Sequence, residues 1–330
     1  MQLTDILGAR RLGLAAGSLA FVAAGLAAAS PAGAALTADV ADDTLTVKGS
    51  AANDSVALRL APGQSGTLQV DFGDDGTADA SFDRATFSSI RVTLRSGADS
   101  FRVDQVNGTF ADEALTVEGE NGNDSMNGGD GAEQFLGGAG NDFVDGNRGN
   151  DTGTLGSGRD SFRWDPGDGS DIVEGGFGFD TLDFNGAGAD ENMSLTANGS
   201  RSLFLRDVAN IRMDMDDVEA LDLTALGGID TMTVNDMTGT DVQLANVDLS
   251  GPAGGPDGAE DLVTVNGSAR SEAIAATAAG NGIEVTGLKT TTAIAGSEPA
   301  DRLAINGQAG NDTIDVDPAV NALITVVATP

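Results

Sequence analysis

The sequence predicts an all-β chain wound as a right-handed parallel β-helix, a solenoid that stacks one short strand-and-turn unit on the next. Three observations carry this reading. Seven nine-residue units rich in glycine and aspartate run from Gly119 to Asp183 in one register. Longer segments of related pattern recur around them, at 42–57, 112–127, 260–275 and 300–315. Apolar and polar residues alternate in short runs, the period of a half-buried strand. Self-similarity at a fixed spacing is the mark of a repeat architecture. Helical periodicity is scarce, and only Met213 to Leu221 reads as a turn or two of helix. A β-sandwich on each side of the central block would also use short alternating strands, but the recurring strand–turn–acid–strand unit favours the solenoid. The expected order is a targeting segment over 1–34, a solenoid segment over 35–118, the nonad block over 119–186 and a second solenoid segment over 187–330.

The first segment is read from its composition. Arg10 and Arg11 form a positive region, Leu12 to Ala29 is apolar and alanine-rich, and Ala32-Gly33-Ala34 fits the small-residue cleavage rule. A secreted protein with Ala35 as its mature start follows. The adjacent arginines hint at twin-arginine export, although their flanks match poorly. The apolar stretch is nearly long enough for an uncleaved anchor, but the cleavage site follows it at once. No membrane span is expected in the mature chain.

Composition closes off several chemistries. Among 330 residues there is no Cys, no His and no Tyr. Disulfides, thiolate chemistry, a Ser-His-Asp triad and a His-ligated zinc site are therefore excluded. A general base would have to be a carboxylate or one of the only two lysines, Lys48 and Lys289. Asp plus Glu number 51 against 17 Lys plus Arg, a net charge of −34, which repels nucleic acid and anionic membrane alike.

The nonads follow G-G-x-G-x-D-x-U-x, where U is apolar. Position four is Gly122, Gly131, Gly140, Gly149, Gly158, Gly169 and Gly178. Position six is Asp124, Glu133, Asp142, Asp151, Asp160, Asp171 and Asp180. Each unit divides into a glycine-rich turn and a short strand whose middle residue points inward. The inward candidates are Met126, Phe135, Val144, Phe162, Val173 and Leu182, with Gly153 leaving a thin spot. Trp164-Asp165 is an insertion expected to bulge one turn.

Two nonads make a coil, so Asp124, Asp142, Asp160 and Asp180 should stack in one column and Glu133, Asp151 and Asp171 in another. Coils stack at the inter-strand spacing of ~4.8 Å. Two carboxylates that far apart repel by roughly 3 kcal/mol at an effective dielectric near 20. A cation between them relieves this, and carboxylates with backbone carbonyls make a hard, all-oxygen site that suits Ca²⁺. A flexible Gly/Asp-rich linker would not keep an apolar residue at a fixed ninth-residue interval.

Residues 119–183 resemble the RTX calcium-binding repeats of secreted bacterial proteins. The resemblance implies a parallel β-roll with Ca²⁺ held between turns by the position-six aspartates and turn carbonyls. It transfers residue by residue at the six aspartates, while Glu133 departs from it. RTX exporters carry such repeats near the C-terminus; here the block lies mid-chain, so a type I export role does not transfer.

In the flanks, strand cores are expected at Leu45/Val47, Leu115/Val117, Val263/Val265 and Leu303/Ile305, with single related copies at 96–103 and 227–234. Gln308 to Asp312 keeps the full turn, so Asp312 is a further candidate ligand. Asn53-Asp54 follows Ala52 where Gly belongs, and Arg270 with Glu272 reads as a turn without metal. Pro252 to Gly258 reads as an exposed loop. Ala35–Leu45 and Ala322–Val327 are the expected caps. The function expected is that of a calcium-binding structural or adhesive protein without catalysis, whose folding is coupled to the ion and whose partner is a cell surface or matrix component. The alternative is a carbohydrate-active β-helix enzyme using paired carboxylates, for which aromatic sugar platforms are scarce at 4% of residues.

Overall fold

Alternation of apolar and polar residues becomes alternation of inward and outward side chains over the whole described chain. The computed structural model describes residues 35–330; the targeting segment expected in 1–34 lies outside them. The described residues form two 14-stranded sheets packed face to face. The chain passes from one to the other at each half coil. Ala114–Asn121, Gln134–Ala139, Thr152–Gly158 and Ile172–Gly178 run parallel in the first sheet. Ser125–Asn127, Phe143–Asp145, Ser161–Trp164 and Thr181–Asn185 run parallel in the second. Gln134 pairs with Thr116 on one side and Thr152 on the other, two nonads away in each direction. The all-β parallel solenoid expected from the repeats is what forms.

The core is a single stack of inward residues between the sheets. Met126, Phe135, Val144, Phe162, Val173 and Leu182 are all buried in it, as are Leu45, Val47, Leu115, Val117, Val263, Val265, Leu303 and Ile305. Gly153 leaves no thin spot, because the Phe162 ring lies 2.8 Å from where its Cβ would be and fills the space. The Trp164-Asp165 insertion enlarges one turn, as its position in the nonads implies, and leaves the strand register intact. Trp164 extends the strand in register with Phe184, and the rings stack at 4.1 Å. The extra length is taken up in the turn, where Asp165 N–H bonds Asp168 and the indole N–H donates to Gly169 O at 2.8 Å.

The flanks depart from a plain solenoid by inserting antiparallel strands within the same sheets. Asn192–Asn198, Arg201–Arg206 and Ile211–Asp216 form one such meander; Ala273–Ala279, Gly282–Thr286 and Thr291–Ala295 form another. Ser55–Ala61, Gln64–Phe72 and Ala80–Asp83 form a third near the N-terminal end. Met213 to Leu221 is strand rather than helix at both ends. Ile211, Met213 and Met215 face inward while Arg212, Asp214 and Asp216 face out, a period of two that overrides the helix reading. Among the described residues, helix is confined to three short 3₁₀ turns. The edge strands of the first sheet are Thr37–Ala41 and Thr325–Thr329, and those of the second are Ala80–Asp83 and Thr313–Val316. Both sheets run unbroken across positions 118 and 186.

Candidate metal centre

The turns owe their shape to glycine at two positions. At position four, Gly122, Gly140, Gly158 and Gly178 take φ between +137° and +152°, a region closed to side chains. A Cβ on any of them would also overlap the carbonyl of the equivalent glycine one coil back: Gly97, Gly122, Gly140 and Gly158 in turn. Those carbonyls therefore stack against bare Cα atoms. Position one matters differently. A Cβ on Gly119, Gly137 or Gly175 would fill the space between the second carboxylate oxygen of Asp124, Asp142 or Asp180 and a carbonyl of the next coil, from Gly137, Leu155 or Asp217. The missing side chain leaves a cradle walled by a carboxylate and a carbonyl.

Each position-six residue immediately precedes a strand, and the ladder register stacks it on its neighbours. Every backbone N–H in the column donates to the carboxylate one coil further on. Asp124 N–H bonds Asp142 Oδ1 at 2.9 Å, Asp142 bonds Asp160 at 2.7 Å and Asp160 bonds Asp180 at 2.9 Å. In the other column Glu133 N–H bonds Asp151 Oδ1 at 2.7 Å and Asp151 bonds Asp171 at 2.8 Å. The six aspartates are at most 2% exposed. The two columns anticipated from the nonads are thus brought together.

The columns are longer than the nonads. Asp54, Asp99 and Glu219 extend the first, through N–H donations from Asp54 to Asp99, from Asp99 to Asp124 and from Asp180 to Glu219. Glu191, Asp230, Asp261 and Asp301 form a second run on the other side, beyond the meander at 192–216. Sequence reasoning picked out the segments holding Asp99 and Asp230 as single repeat copies without assigning those residues a site. The signal that finds all of them is an acid directly before an alternating strand.

Donation to one oxygen leaves the other. Oδ2 of Asp99, Asp124, Asp142, Asp151, Asp160 and Asp180 is buried without a hydrogen-bond partner. Burial, opposed in part by the amide hydrogen bond, pushes the Asp142 carboxyl up to about 7 and that of Asp180 to about 6. Asp171 is raised to about 7 for the same reason, and burial also raises Asp124 and Asp160. Asp151 shifts upward too, by burial and by the charge of Glu133. Buried charges without partners are costly, and a divalent cation in each cradle would remove that cost.

Other turns satisfy themselves. Asp54 receives the Ser50 amide and hydroxyl, one on each oxygen. Glu272 receives the Ser268 amide and hydroxyl. Glu133 reaches back to the amides of Gly129 and Gly131 at 3.1 and 3.0 Å. Glu191 is neutralised by the buried guanidinium of Arg206. Asp312, half-buried, accepts the Glu272 N–H on Oδ1 at 2.9 Å and keeps an unpartnered Oδ2. The residues that fit a cation by this test are those with an orphaned oxygen.

Comparison with known families covers the nonad block alone. Residues 116–132, 127–162 and 166–183 match the RTX calcium-binding nonapeptide repeat, in four copies. The gap between 162 and 166 falls on the Trp164-Asp165 insertion. Repeats of this family bind Ca²⁺, so this block of the chain is a calcium-binding RTX segment. No curated protein matches the chain. Among the described residues, no helix is long and apolar enough to cross a membrane.

Proposed function

We propose that this is a secreted structural or adhesive protein whose central roll folds only when calcium fills the two columns. The carrying observation is the row of buried, unpartnered Oδ2 atoms at Asp124, Asp142, Asp151, Asp160 and Asp180. Those of Asp124, Asp142, Asp151 and Asp180 lie against the open Cβ positions of Gly119, Gly137, Gly146 and Gly175, and each of the five needs a counter-charge. Asp171 completes the second column. Glu133 already has both oxygens on its own amides, so its turn takes an ion weakly or not at all. Asp312 holds an ion at the C-terminal end through its free oxygen. The support for secretion is the composition of residues 1–34 together with the extracellular character of RTX repeat proteins. Two long sheets with polar outward faces suit a spacer or adhesive role toward a cell surface or matrix.

Ion selectivity tests the coordination itself. Magnesium demands a small octahedron and dehydrates reluctantly, and monovalent salt screens repulsion without coordinating. In Mg²⁺ or 0.5 M-range NaCl (on the order of the salt that collapses the Debye length to a few Å) the chelated roll should stay unprotected from hydrogen exchange. Restoration by NaCl to the calcium level would show that the turns are merely acidic.

A further inference from the structure

We infer that the C-terminal segment holds a calcium site outside the nonads, between the turn ending at Asp230 and the loop 251–258, with Asp230 and Asp257 as its anionic ligands. The loop is exposed along most of its length, as its Gly/Pro content predicts, and is closed on itself by Gly251 N–H to Gly255 O and Gly254 N–H to Gly251 O, both 2.8 Å. Asp257 is half-buried. Its Oδ1 accepts the Ala259 N–H at 2.9 Å, and its Oδ2 is buried without a partner. That Oδ2 lies 3.2 Å from where a Cβ on Gly227 would stand, so the carboxylate is turned in over the preceding coil's turn.

Asp230 closes that same turn. It is 2% exposed, accepts the Glu191 N–H on Oδ1 at 2.9 Å, and keeps Oδ2 buried and unpartnered. Two orphaned carboxylate oxygens thus belong to one turn and the loop laid across it. The surroundings are acidic throughout. Burial, then the charges of Asp261, Glu191 and Asp257, raise the Asp230 carboxyl to about 7. Asp257 acts in the same sense on Asp261 and Asp301. One coil earlier the chain answers the same problem with a guanidinium, Arg206 on Glu191. At Asp230 no basic group is among the charges that perturb it. Oxygen ligands alone, with two negative charges, select a hard divalent cation.

The loop is also anchored to receive it. Gly258 N–H donates to Glu298 Oε1 at 2.8 Å, and Glu298 N–H donates to Asp301 Oδ2 at 2.8 Å, which ties the loop to the next coil of the same column. None of this lies within the family match, which ends at residue 183.

The test is calcium counting on the full chain by equilibrium dialysis, paired with hydrogen exchange of residues 249–261. D257N and D230N are near-isosteric, and the first changes only a loop residue. Each alone should bind one ion fewer than the parent, and the double variant should lose no more than either. Exchange of 249–261 should become independent of calcium, while that of 119–186 keeps its calcium protection. Unchanged stoichiometry with unchanged loop protection in D257N would overturn the site. So would the loss of two ions in the double variant, since the carboxylates would then serve separate ions. The roll's own calcium dependence, read from 119–186 in the same samples, stands or falls separately.

Discussion

A methyl group on Gly140 would overlap the carbonyl of Gly122, and the residue's φ of +142° is closed to side chains in any case. Neither neighbour can yield, because the same contact repeats one coil on at Gly158. Gly140→Ala should therefore destabilise the calcium-bound roll by at least ~2 kcal/mol, seen as a lower melting temperature in saturating calcium. Asp142 and Asp54 make a sharper pair. Both belong to the first column, but Asp142 has an orphaned oxygen and Asp54 has Ser50 on both of its own. Asp142→Ala should raise the calcium midpoint and lower the bound stoichiometry; Asp54→Ala should change neither. Titration calorimetry of the two variants checks this, and equal stoichiometry in both would contradict the column account. The nonad pattern made Asp142 legible because glycine and aspartate hold fixed positions there. Asp99 and Asp230 were harder to read, since each stands in a single copy outside the run of nonads, with Leu94 and Ala225 where the first glycine would be.

At the scale of the element, the column behaves as one electrostatic unit. Burial raises its carboxyls, to about 7 at Asp142 and about 6 at Asp99 and Asp180. A group whose folded pKa is raised stabilises the fold below its unfolded value and loses that contribution as pH rises through the folded one. The window here runs from the ordinary aspartate value of 3.8 up to about 7. Calcium requires the ionised form, so its contribution grows over the same range. The chelated protein should melt higher at pH near 4.5 than at pH near 7.5, and the calcium-loaded protein should show the reverse. Asp142→Asn should flatten both trends. Packing is the other half of the element. Trp164 is fully buried and stacked on Phe184, so Trp164→Ala should cost ~3–5 kcal/mol with calcium present. Phe177, 85% exposed near the end of the strand Ile172–Gly178, should cost under ~0.5 kcal/mol when changed to Ala. The strands were readable from their period of two and the insertion as an enlarged turn, but the core role of Trp164 was not. Trp164 lies outside the nine-residue register, so nothing in the pattern marked it as a core ring that stacks on Phe184 while the turn absorbs the extra length.

For the whole molecule, the parallel coils were legible because four segments share one strand–turn–acid–strand pattern. The antiparallel meanders at 55–83, 192–216 and 273–295 were not, because a strand added to the same sheet carries the same alternation whichever way it runs. A chain of net charge −34 that stacks its acids in buried columns repels itself, and bound counter-ions would offset that repulsion. Extracellular calcium sites have dissociation constants of ~10⁻⁴–10⁻³ M. At free calcium tenfold above that, each site adds about 1.4 kcal/mol by linkage, so roughly five sites together match the net stability of an ordinary domain, ~5–15 kcal/mol. Hydrogen exchange resolved along the chain, in chelator and then in millimolar-range calcium, reads this most directly. The account predicts that residues 119–186 exchange freely in chelator and become protected when calcium is added, with circular dichroism gaining β signal in step. Equal protection of 119–186 in both conditions would contradict it.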